Sequence, residues 1–239
     1  MALPKFDKET FRSAALGLGA LAMVSTVSLG LPTSQAHAQD ARPVAAATTA
    51  ASYAELGLPA AQAPTAERPY HYMNFDEQTK AQYPSASPID ALPLNGDKLV
   101  VLNFTDESSQ YSAMQTQVLK QTLAALSARS QNKELMLVDV ATRDTKGNDL
   151  YMSEYMAFYD ENSLGPNGTT LQSAQLPYGL AYGDPVNENG EYGRLFDFAL
   201  LNGVKNDADL NANAEGIFGK LNVVVNAYNQ KKVAAPSPE

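Results

Sequence analysis

The chain has 239 residues, no cysteine, no tryptophan, two histidines and a formal net charge of −9. Without a thiol it cannot carry out thiol–disulfide exchange, build a thiolate metal site or close a disulfide. With so few histidines a multi-histidine metal site is excluded too, and the acidic balance disfavours nucleic acid and anionic lipid surfaces, which reward Lys/Arg patches.

The N-terminus has the layout of an export signal. Lys5, Lys8 and Arg12 form a basic start, an uncharged Ala/Leu/Gly/Val run spans Ser13 to Leu31, and Ala36-His37-Ala38 follows Pro32 as an A-x-A box. Residues 1–38 are expected to be a signal peptide cleaved after Ala38. A membrane anchor is the competing reading, but Gly, Ser and Thr dilute the run and a helix breaker ends it. The leader carries three basic groups against Asp7 and Glu9, so the remainder is at about −10. The expected destination is the periplasm or the exterior, with no stable membrane insertion after cleavage.

Residues 39–67 are rich in Ala, Thr, Pro and Gln, and are expected to be a disordered tether. Residues 68–95, with Tyr70, Tyr72, Met73 and Phe75, are expected to pack as an N-terminal arm, and 233–239 to be a disordered tail. One domain is placed at 96–232, long enough for a single core. It opens on Leu99-Val100-Val101-Leu102-Asn103-Phe104, an apolar run suited to a central strand covered on both faces. Tyr111, Met114, Val118, Leu119, Leu123 and Leu126 recur at helical spacing. Leu135–Val140 is a second buried-type strand, so strand, helix and strand form a βαβ unit with parallel strands. A loop at 144–148 and a short helix around Leu150–Tyr159 follow. Leu180–Tyr182 and Arg194–Ala199 flank Asn187-Glu188-Asn189-Gly190, a hairpin signal. Ile217, Phe218, Leu221, Val224, Val225 and Tyr228 mark a closing helix with Asp207 or Asp209 as cap.

In this order the chain resembles the thioredoxin-like superfamily over roughly residues 96–230. Leu102-Asn103-Phe104-Thr105-Asp106-Glu107-Ser108-Ser109-Gln110-Tyr111-Ser112 resembles the strand-to-helix segment that carries the family's Cys-x-x-Cys, with Ser109 and Ser112 in place of the cysteines. Leu176-Pro177-Tyr178 resembles the family's cis-proline loop. The resemblance implies an α/β fold with a mixed sheet flanked by helices, and a cis Pro177 facing the helix start near Ser109. It also implies a groove for an extended peptide, with Ser109, Gln110, Tyr111, Ser112, Pro177 and Tyr178 as the candidate residues. It does not imply redox activity, because a serine hydroxyl does not become an anion near neutral pH. The expectation is a redox-inactive, non-catalytic protein that binds or scaffolds a protein or peptide partner in the bacterial envelope, with no cofactor.

The alternative is a carboxylate- or metal-dependent periplasmic enzyme on the same fold. Glu154, Asp160 and Glu161 are its candidate carboxylates, although exposed helix charges explain them equally. Asp184, Asn187, Asn189 and Glu191 do not fit a calcium loop, since Pro185 stands where an oxygen ligand is needed. His71 is expected to be an isolated surface or edge histidine. Tyr151, Tyr155, Tyr159, Tyr178, Tyr182 and Tyr192 are assigned mainly to the core.

Overall fold

The computed structural model describes residues 53–158, 176–184 and 193–231, all within the unit 43–239. Residues 1–52, which include the expected signal peptide, the stretch 187–190 expected to form a hairpin turn, Asp160, Glu161, Tyr159, Tyr192 and residues 233–239 lie outside the described residues. Five strands, β1 (His71–Phe75), β2 (Lys98–Asp106), β3 (Glu134–Arg143), β4 (Tyr178–Gly183) and β5 (Gly193–Phe198), form one mixed sheet in the order β1-β3-β2-β4-β5. β1, β3 and β2 are parallel; β4 is antiparallel to β2, and β5 to β4. The helices are α1 (Glu77–Gln82), α2 (Pro88–Ala91), α3 (Gln110–Ser127), α4 (Met152–Phe158) and α5 (Asp207–Gln230).

Alternation along the strands divides the core into two layers. Val100, Leu102, Phe104, Met136, Val138, Val140, Tyr178 and Leu180 pack on one face with Met73, Phe75, Tyr151 and Tyr155. Ring contacts run from Phe75 to Tyr151, from Phe104 to Tyr155 and from Tyr155 to Tyr178, with centroids 5.4 to 6.0 Å apart. Asn103, Gly179 and Gly183 point to the other face, which α3 and α5 cover. There the ring of Phe198, the β5 partner of Gly179, and the Tyr228 hydroxyl of α5 occupy the space over the two glycines, so that a Cβ at Gly179 or Gly183 would collide with them. α3 buries Val118, Leu119, Leu123 and Leu126, four of the six residues its periodicity marks, together with Ser112, Gln115 and Thr122, while Tyr111 and Met114 are only half-buried. α5 is capped one residue before the expected acids: the Asn206 side chain accepts from the Ala208 and Asp209 amides.

Two expected boundaries are corrected. The stretch 68–95 is not an arm laid on a finished domain, because His71–Phe75 is a sheet strand in register with Met136–Val140. The second half of the expected tether, residues 53–67, packs on the fold. Leu58 is buried in the core, and the Tyr53 hydroxyl donates to Asn95 Oδ1 at 2.6 Å. Gln62 and Tyr72 exchange both backbone hydrogen bonds at 2.8 and 3.0 Å, so this segment runs along the outer edge of β1. Arg68 Nη1 fastens it by donating to Gln62 Oε1 at 2.6 Å. Composition averaged over 39–67 hid the two large side chains, Tyr53 and Leu58, that anchor it.

The consequence is measurable. A chain starting at Tyr53 should retain full stability, whereas one starting at Arg68 loses the buried Leu58 and leaves the buried Asn95 short of a donor. Together these should cost about 3 kcal/mol by urea unfolding. Equal midpoints for the two chains would contradict the packing of residues 53–67.

Candidate functional site

A buried polar network ties the sheet to α3. Asn103 in β2 and Asp139 in β3 are adjacent in register, and both lie in otherwise apolar strands. Asn103 Nδ2 donates to Asp139 Oδ1 at 2.7 Å and to Thr116 Oγ1 at 2.9 Å. Asn103 Oδ1 accepts from Gln115 Nε2 at 2.8 Å, and Gln115 Oε1 accepts the Leu200 amide at 2.9 Å. The Tyr72 hydroxyl donates to Asp139 Oδ2 at 3.0 Å, and Lys120 Nζ stands 3.9 Å from the same oxygen. Burial raises the Asp139 pKa, while Asn103, Lys120 and Tyr72 oppose the rise. Burial and the Asp139 charge push the Tyr70 phenol up to about 12, and the same two causes raise Tyr72.

The network leads to the C-terminal end of the parallel strands, where β2 passes into α3. Ser109 holds the N-cap position of α3 with extended backbone, but its side chain makes no capping hydrogen bond. Asp106 organises the turn instead: its Oδ1 accepts from the Ser108 amide and hydroxyl at 2.9 and 2.5 Å. Ser112 is buried and its Oγ accepts the Asp106 amide at 2.9 Å. A depression of about 420 Å³ opens beside this turn, lined by Asp106, Ser109, Ala113, Thr116, Gln117 and Lys120 among others. Its rim is negative. Burial raises the Glu107 pKa, and the charges of Asp76, Glu77, Asp144 and Asp106 raise it further. Arg143 offsets part of that charge, at 3.8 Å from Asp106 and 3.1 Å from Asp149.

The six expected groove residues separate. Ser109 and Ser112 line the depression; Gln110 and Tyr111 do not. The Leu176–Pro177 peptide is cis. The β2–β4 ladder begins at Phe104–Tyr178, so Pro177 enters the sheet beside the Thr105 end of β2, next to the turn into α3. The Tyr178 side chain is not in the groove. It pairs with Phe104, which points away from α3, and it is buried against Tyr155. Its hydroxyl donates to Asp197 Oδ2 at 2.9 Å, beside Arg194. The two-residue period of a strand makes this unavoidable once Asn103 faces the helix.

Other sequence candidates have structural partners. His71 Nε2 lies 2.9 Å from Glu134 Oε2, and Asp184 is 2.6 Å from Lys133 Nζ. Glu154 faces Lys80 at 3.9 Å. Among the described residues no group of three or more His, Asp or Glu is placed to hold a metal ion. Sequence reasoning missed Asn103, Gln115 and Asp139. Their signal was present: two polar residues inside strand runs that are apolar everywhere else, and a glutamine on the buried stripe of a helix. Comparison with known protein families, curated proteins and solved structures finds no match to this chain.

Two predictions follow from this geometry. Ser109→Ala should change stability by no more than about 0.5 kcal/mol. Ser112→Ala should cost about 1–3 kcal/mol, because it strands the Asp106 amide; equal effects in urea melts would refute the assignment. The second concerns Asp139. A carboxyl whose folded pKa is raised favours the folded state most when protonated. That contribution is complete below its unfolded pKa near ~3.9 and is lost as pH rises through the raised folded value. Asp139→Asn should therefore gain on the parent chain as pH rises above the ordinary aspartate pKa of ~3.9, measured by urea unfolding across a pH series. Parallel stability–pH curves would show that Asp139 is not the group responsible.

Proposed function

We propose that this chain is an exported, thioredoxin-like binding module that performs no redox chemistry. In this reading it holds an extended segment of a protein or peptide partner, in the periplasm or outside the cell, against the start of α3. The sheet order, with three parallel strands followed by two antiparallel ones, supports the thioredoxin-like reading, as does the long helix that follows the central strand. The leader-like N-terminus supports export.

The observation that carries the binding reading is a juxtaposition. The start of α3 and an open depression lie together at the C-terminal end of β2, on its β3 side, and the Pro177 approach to β4 flanks the same strand end on its other side. Ligands of open α/β sheets bind at that end. Leu176 lies beyond the paired register of β4, so an extended segment crossing the end of β2 can add backbone hydrogen bonds there after leaving the depression. The lining offers hydroxyls, amides, methyl surface, the Asp106 and Glu107 carboxylates and the Lys120 ammonium but no thiol, which suits a polar contact with a partner without redox chemistry.

A photo-reactive phenylalanine analogue at Gln110, in protein made by its native host, tests this reading. It should crosslink to a discrete partner. Ala113→Arg fills the depression from an exposed helix position and should abolish the crosslink at a stability cost within about 0.5 kcal/mol. Val223→Arg, at an exposed position on α5, should leave it intact. Crosslinking that survives Ala113→Arg would place the partner elsewhere.

A further inference from the structure

Lys120 is the one cation lining the depression, and it is only loosely held. Its side chain is 46% exposed, whereas that of Asp139 is 9% exposed. The ammonium stands 3.9 Å from Asp139 Oδ2 and 5.2 Å from the Tyr72 ring centroid. Ordering a lysine side chain costs much of its rotamer freedom, so its position depends on whatever charge draws it in. With the carboxyl neutral, the ion-pair attraction is gone and the Tyr72 ring contact is left to hold a half-exposed ammonium.

The rest of the network is built to take up a proton without breaking. Asp139 Oδ1 receives the Asn103 amide in either state. Oδ2 receives the Tyr72 hydroxyl when ionised, and when protonated it can donate to the same oxygen, because a phenol both donates and accepts. The groups facing Asp139 are Tyr70 and Tyr72 from β1, the uncharged Asn103 from β2, and Lys120 from α3, while Arg68 reaches the Tyr72 ring from the segment before β1 at 5.3 Å. Of these, Lys120 is the one whose attraction disappears when the carboxylate is neutralised.

We propose that Asp139 and Lys120 form a proton-operated latch on the depression. With Asp139 ionised, Lys120 is drawn across the groove onto Asp139 and Tyr72. With Asp139 protonated, Lys120 swings into solvent and the groove opens along α3. The importance of the latch rests on the binding reading above, but the motion itself belongs to the chain without a partner. A change in external pH would thereby alter both the width and the local charge of the groove.

The test is NMR on the full chain with 13C-labelled aspartate and lysine. The Lys120 Cε signal should titrate with the midpoint of the Asp139 carboxyl carbon, and should be flat over that range in Asp139→Asn. Lys120→Met, at a half-exposed position that does not depend on the first variant folding, should raise the Asp139 midpoint by about one pH unit. A Lys120 signal that ignores Asp139, or an unchanged Asp139 midpoint in Lys120→Met, would overturn the latch. The two readings fail separately. Coupled titration without crosslinking at Gln110 would remove the binding function alone; crosslinking without coupled titration would remove the latch alone.

Discussion

The architecture depends on one buried carboxylate being kept hydrogen-bonded. Asp139 sits between apolar neighbours in the middle of β3, where an unpaired charge would be costly. Its partners come from β1, β2 and α3, and through Gln115 the same network reaches the backbone at Leu200. Apolar packing alone would let α3 slide or rotate over the sheet at small cost, since hydrophobic contact has no direction. The amides of Asn103 and Gln115 permit one register. The polar residues at this interface therefore specify where the helix begins, and so where the turn at Asp106–Ser112 stands.

The two faces of the sheet then have different tasks. The face carrying Tyr151, Tyr155 and Tyr178 is a dry aromatic core whose rings interlock. The α3 face carries the network and opens to solvent at the helix start. The resemblance to a peptide-binding fold had grouped Tyr178 with the serines at that start, and the strand period separates them. What remains together is a smaller set: Ser109 and Ser112 with the α3 residues Ala113, Thr116 and Lys120.

Much of this fold was legible because burial and periodicity act locally. The runs Leu99–Phe104 and Leu135–Val140 read as central strands, and both are. The stripe from Val118 to Leu126 read as a helix face and is buried. β1 was not legible as a strand, because five residues that include a histidine and an asparagine gain strand character only from pairing with β3, a contact far away in sequence. Leu58 and Tyr53 were lost in a composition average. Ser109 holds the N-cap position that its residue type suits, but Asp106 and Ser112 organise the turn without the Ser109 hydroxyl. The site was less legible than the fold because it consists of spatial neighbours. Asn103 and Asp139 were visible as exceptions in their strands, yet their meeting depends on strand register.

The segment from Tyr53 to Arg68 has a consequence for assembly. An open sheet offers two rows of unpaired backbone groups, one at each border, and a protein with two such borders can propagate end to end without limit. The Gln62–Tyr72 bridge and the Arg68 clasp occupy the β1 border. Among the described residues only β5 then borders the sheet without a strand beside it. A body with one adhesive border can join a second copy about a two-fold axis and stop there, since the pair has no border left to extend. Among the described residues, the short strap ahead of β1 thus removes one of the two borders along which strand-to-strand growth could proceed.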